Sequence, residues 1–202
     1  ECAGGKNGFG RSHVVLSESG RKMVTVFDKP RGQVMITNRL GEMEVYNALE
    51  HTVFRAQGEE YSSENNLIYF FLSGRIHDLG LTALGFEQME TAFRDGLVIT
   101  QWMPPAALSA LFHRIELVHS NHLPIYAAYY DASRALVRKV YYADYQSHAE
   151  LDLPHTIIEY HYFAAGDSIV NRVMFSEVLT GQSAQSEWFD FEIPQDATIV
   201  QP

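Results

Sequence analysis

The stretch Phe86-Glu87-Gln88-Met89-Glu90-Thr91-Ala92-Phe93-Arg94-Asp95-Gly96-Leu97-Val98-Ile99-Thr100-Gln101-Trp102-Met103 decides the fold class. Two extended runs, Phe86–Arg94 and Leu97–Met103, meet at Asp95-Gly96. That dipeptide is a strong hairpin signal, because a two-residue type I′ turn needs φ > 0 at both central positions. Pro104-Pro105 then ends the second run, since proline has no N–H to give to a ladder.

The flanks repeat the pattern. Upstream, Lys22–Phe27, Gln33–Thr37, Glu42–Tyr46 and His51–Ala56 read as four strands at hairpin spacing. Downstream, Phe112–Val118 turns at Ser120-Asn121-His122 into Pro124–Tyr130, and Asp131-Ala132-Ser133 turns into Ala135–Tyr145. His155–Phe163 and Ile169–Val178 follow, and Trp188–Ile193 alternates with Phe189, Phe191 and Ile193 on one face. The expectation is a mainly β protein: one antiparallel meander of about eleven strands that hides a face or closes on itself.

The period changes once. Ser62 or Ser63 can cap a helix, Glu64 supplies an acid to its first turn, and Leu67, Phe70 and Phe71 recur at helical spacing. A helix is therefore expected over 62–74, on the concave side of the sheet. Residues 75–85 read as a loop or a broken helical segment.

With 202 residues, the chain fits one domain over 21–202, preceded by a flexible tail over 1–20. Hydrophobic residues make up 46%, which argues against global disorder. Net charge is −10, and residues 61–202 carry all of the excess, with seven Lys/Arg against seventeen Asp/Glu. Such a region repels phosphate backbones and anionic membrane surfaces, so nucleic acid is not an expected partner. Cys2 is the one cysteine, so no intrachain disulfide can form. It precedes a glycine-rich stretch (Gly4, Gly5, Gly8, Gly10), as the first residue of a lipidated protein does; the competing reading is a stray exposed thiol. Lipidation of Cys2 would anchor the chain to the outer membrane.

The C-terminal half resembles the LolA-like family, the outer-membrane lipoprotein carriers and their relatives. The likeness rests on Leu123-Pro124-Ile125-Tyr126, Tyr129-Tyr130-Asp131, Lys139-Val140-Tyr141-Tyr142-Ala143-Asp144-Tyr145, Leu153-Pro154-His155-Thr156-Ile157-Ile158 and the closing Phe189-Asp190-Phe191-Glu192-Ile193-Pro194. The resemblance implies a strongly curved, unclosed antiparallel half-barrel with a small helical lid over an apolar cavity. It also implies a monomeric periplasmic carrier binding the acyl chains of lipoproteins or other lipids, with no enzymatic activity and no cofactor. The alternative is a membrane-anchored envelope lipoprotein acting through its surface as a receptor or assembly factor, with an envelope protein as partner.

If the carrier reading holds, the ligand is expected between sheet and helix, against Met43, Val45, Leu67, Phe70, Phe71, Phe86, Met89, Leu97, Ile99, Ile115 and Leu117. Several of these serve equally well as plain core. The tyrosines from Tyr126 to Tyr162 read as cross-strand pairs rather than a ligand platform. His119, His122, His155 and His161 lack the spacing and cysteine partners of a zinc site. There is no Gly-x-Ser-x-Gly elbow and no phosphate-cradling glycine loop.

Overall fold

A computed structural model describes residues 12–16, 22–28, 31–38, 42–56, 70–71, 74–148, 151–163, 166–184 and 186–200. The chain forms two compact units, Glu1–Tyr69 with Gln185–Pro202, and Phe70–Ala184. The first holds β1 (Ser12–Leu16), β2 (Lys22–Phe27), β3 (Gln33–Asn38), β4 (Met43–Asn47), β5 (Thr52–Ala56) and, from the far end of the chain, β13 (Thr198–Val200). The second holds β6 (Glu87–Arg94), β7 (Leu97–Met103), β8 (Phe112–Ser120), β9 (Leu123–Asp131), β10 (Leu136–His148), β11 (Leu151–Tyr162) and β12 (Ser168–Met174).

The expected strands from Lys22 to Met174 are all present, shifted by a few residues at their ends. The expected single sheet is two. One runs in the order β1-β2-β3-β4-β5-β13, the other β12-β11-β10-β9-β8-β7-β6, and neither closes into a barrel. The break falls between β5 and β6, which are thirty residues apart in sequence, far beyond a hairpin connection. The open edge of β5 is taken instead by β13, in the one parallel pairing described, with Ile199 opposite Val53.

Three further expectations are corrected. Within the stretch read as tail, Ser12-His13-Val14-Val15-Leu16 is β1, because its β-branched run pairs with β2 from Ser12↔Phe27 to Leu16↔Met23. Trp188–Ile193 is not a strand. The Phe191 amide donates to the Trp188 carbonyl, and the two rings pack at 5.2 Å, a meeting at i, i+3 that a strand would not allow. The small helical lid finds no support. Ser62, Ser63, Glu64 and Leu67 lie outside the described residues, as does Cys2. Of the expected helix, Phe70 and Phe71 carry helical backbone and Gly74 already lies in a turn.

The Asp95-Gly96 turn forms as its sequence demands. Both residues have positive φ (52° and 79°), and Arg94 pairs with Leu97. In the seven-stranded sheet the ladders set rows of side chains across the strands. Thr100, Leu117, Ala127, Val140 and Glu159 form one row from β7 to β11, and all five are buried. The opposite face is half-exposed. There Tyr126 packs on Tyr141 (5.1 Å) and Tyr141 on Tyr160 (6.0 Å), while Lys139 Nζ sits over the Tyr160 ring at 4.6 Å. These tyrosines are cross-strand pairs, as expected.

Candidate functional site

The buried face of the seven-stranded sheet is covered within its own unit by Phe70, Phe71 and the irregular segment 74–86. Phe71 is 0% exposed and lies on Tyr142 (5.2 Å between centroids) and Tyr145 (6.1 Å), both on β10. Tyrosines three apart on a strand would normally face opposite ways. Here Asp144 between them takes a left-handed conformation, φ 56°, and its carboxylate accepts from the Thr156 hydroxyl at 2.6 Å. At the other end of the segment Phe86 packs on Phe112 of β8.

Asp78 organises this cover. Its Oδ1 accepts from the Gly80 amide (2.9 Å) and its Oδ2 from the Thr82 amide (3.1 Å), which opens the 3-10 turn at Thr82–Leu84. Burial alone would raise the Asp78 pKa, but donation from Thr82 and Gly80, with His77 nearby, outweighs it and holds the carboxyl below its usual range. The cover is tied to β8 through His119, whose Nε2 lies 3.3 Å from the Ile76 carbonyl oxygen. Burial pushes the His119 pKa down, so the neutral ring with its proton on Nε2 fits this contact.

A polar cluster interrupts the apolar face. Arg138 Nε donates to Glu159 Oε1, and His161 Nε2 lies 3.1 Å from the same oxygen. The Arg138 guanidinium also sits over the Tyr129 ring at 4.6 Å. Glu159 Oε2 and the Tyr142 hydroxyl are buried without a hydrogen-bond partner among the described residues. Burial pushes the Tyr142 pKa well up, so this hydroxyl is neutral. An orphaned buried acceptor or donor costs about 1–3 kcal/mol, and this cluster holds two of them.

The structure brings Phe71, Phe86, Ile115 and Leu117 together as part of that face or its cover, all buried. Phe70 lies beside Gly80 in the cover. Leu97 and Ile99 point to the opposite face, out of phase with Thr100 and Trp102. Met89 is 67% exposed on β6, an edge strand with every residue exposed. Met43 and Val45 belong to the other unit, on the face of its sheet that also carries Met35 and Thr37. Leu67 lies outside the described residues. Among the described residues no three His, Cys, Asp or Glu side chains group to hold a metal. Arg138 and Glu159 were not among the expected site residues, Tyr142 was read as a cross-strand pairing residue and His161 as no zinc ligand; positions 138, 140 and 142 on β10 and 157, 159 and 161 on β11 share the apolar face.

No family model matches this sequence, and no curated protein matches it. Solved structures do. A domain from Vibrio parahaemolyticus assigned to outer-membrane lipoprotein sorting superposes with a TM-score of 0.59 at 15% identity, over 90% of this chain and 80% of that one. A DUF1329 family protein from Desulfovibrio piger gives 0.54 at 18% identity, over 89% and 79%. A LolA superfamily protein from Nitrosomonas europaea gives 0.51 at 14% identity, over 84% and 79%. With two sheets, no closed barrel and these neighbours, the chain has a LolA-like fold.

Proposed function

We propose that this chain is a periplasmic carrier that holds the acyl chains of lipoproteins or other lipids, without catalysis. The observation that carries this reading is the covered face of the seven-stranded sheet: a largely apolar surface roofed, within its own unit, by an irregular segment. The LolA-like fold supports it. Asp78, His119, Leu79, Leu81 and the Phe71 and Phe86 rings help to hold the cover, none through the strand ladders, so its lifting would leave the ladders paired. A C16 chain sliding under it would gain about 0.8 kcal/mol per methylene, on the order of 12 kcal/mol before the costs of association. The test is titration of delipidated protein with a fluorescent C16 probe. Saturable micromolar binding with little salt dependence is expected; absence of saturable binding at any probe concentration below its aggregation point overturns the carrier reading.

A second reading rests on the opposite face. The tyrosine rows around Lys139 present amphipathic rings at the surface, a composition enriched at protein interfaces. This suits an envelope lipoprotein, anchored through Cys2, that acts as a receptor or assembly factor. Substituting Tyr141 and Tyr160 with serine distinguishes the two, since it leaves acyl binding intact and removes only a surface interaction.

A further inference from the structure

The row Thr100, Leu117, Ala127, Val140 is apolar apart from one threonine, and it runs into Glu159, which is 1% exposed. The two oxygens of this carboxylate are treated unequally. Oε1 faces both Arg138 Nε and His161 Nε2, while Oε2 is buried and accepts from nothing among the described residues. Two residues along β10 from Val140, and so diagonal to Glu159 across the ladder, the buried Tyr142 hydroxyl is also without a partner among the described residues. The unmatched groups are therefore a pure acceptor and a group that both donates and accepts, on neighbouring rows of one buried face.

We propose that Glu159 Oε2 and the Tyr142 hydroxyl form the polar end of the ligand site, selecting acyl lipids whose polar part donates hydrogen bonds. This rests on the carrier reading above and narrows it. A hydroxyl or amide N–H on the ligand donates to Oε2 and exchanges a second hydrogen bond with Tyr142. An ester without a donor can accept from Tyr142 but leaves Oε2 unmatched. A free fatty-acid carboxylate has only acceptors, so it leaves Oε2 unmatched and is the weaker ligand even though Arg138 balances the Glu159 charge.

The test compares 1-monopalmitoylglycerol, methyl palmitate and palmitate as competitors of a fluorescent C16 probe, on wild type, Tyr142→Phe and Glu159→Gln. Wild type should prefer the monoacylglycerol over the methyl ester by about tenfold or more, and bind palmitate most weakly. Tyr142→Phe removes an orphan hydroxyl, so the unliganded protein should be as stable as wild type or more so. Its preference for the monoacylglycerol should shrink at least threefold. Glu159→Gln should also reduce that preference and restore palmitate binding; if it fails to fold, Tyr142→Phe decides alone. Equal affinity of wild type for all three competitors, or an unchanged preference in Tyr142→Phe, overturns the proposal and leaves the carrier reading standing. Failure of every acyl competitor and of the probe itself overturns both.

Discussion

Arg138 and Glu159 form an ion pair diagonally across the β10–β11 ladder, with side chains only 8% and 2% exposed. Arg138 stands opposite His161 and Glu159 opposite Val140, so the pair links two adjacent rows of the covered face. Removing one charge of such a pair takes an ion-pair partner from the other in a poorly solvated place. Glu159→Ala should cost about 3–5 kcal/mol, whereas the double substitution Arg138→Met with Glu159→Leu should be close to neutral or stabilising. Urea unfolding of the three proteins measures this. A loss under 1 kcal/mol for Glu159→Ala would show that the pair is not shut away from water as described.

Gly80 and Gly96 share a left-handed backbone, φ 80° and 79°, but not their surroundings. A Cβ on Gly80 would fall 2.8 and 2.9 Å from two carbons of the Phe70 ring, while one on Gly96 meets nothing within 4 Å. Alanine at Gly96 should thus cost about 1–2 kcal/mol of backbone strain alone. At Gly80 the collision adds about 1–3 kcal/mol more. Equal losses for the two variants in chemical denaturation would mean that Phe70 does not pack on the cover.

The hairpins were legible because their signals are local. Asp95-Gly96 needs only its own φ angles, and Lys22–Phe27 only its own β-branched run. What was not legible depends on distant segments. That β5 pairs with β13 rather than β6 follows from which of two remote strands reaches its edge. Trp188 and Phe191 leave the extended pattern for their ring contact, which alternation cannot reveal. In the candidate site, Ile115 and Leu117 were readable as apolar positions in phase. Leu97 and Ile99 were assigned to the same surface because apolar character alone does not tell one face of β7 from the other; the register does. Arg138 and Glu159 were passed over because charged residues in a strand normally mark its wet face, and only their shared parity with Val140 and Ile157 says otherwise.

His119 gives the cover a pH dependence. Its pKa in the folded protein lies below the ordinary 6.5, with burial the main cause and His77 a further one. Between those two values the unfolded chain binds a proton that the folded chain does not. Stability from this site is therefore complete above about pH 7 and falls as pH drops through 6.5 toward the folded value. His119→Gln removes the titration, so the stability gap between wild type and variant should narrow from pH 7.5 to pH 5. A gap that stays constant across that range would contradict the burial of the imidazole.

Phe71 decides whether the cover is also a gate. Its ring is fully buried against Tyr142 and Tyr145, so Phe71→Ala should cost about 3–5 kcal/mol from lost contacts and the cavity left behind. If acyl chains enter beneath the cover, they must take the place this ring now fills, and wild type spends part of the binding energy on displacing it. Phe71→Ala should then be less stable alone yet bind a fluorescent C16 probe more tightly, with a larger ligand-induced rise in melting temperature. Phe71→Leu should fall between the two on both scales. A variant that stays folded at the assay temperature but loses the probe would place Phe71 among groups that hold ligand; one that loses stability with no change in affinity would place the acyl site elsewhere on the molecule.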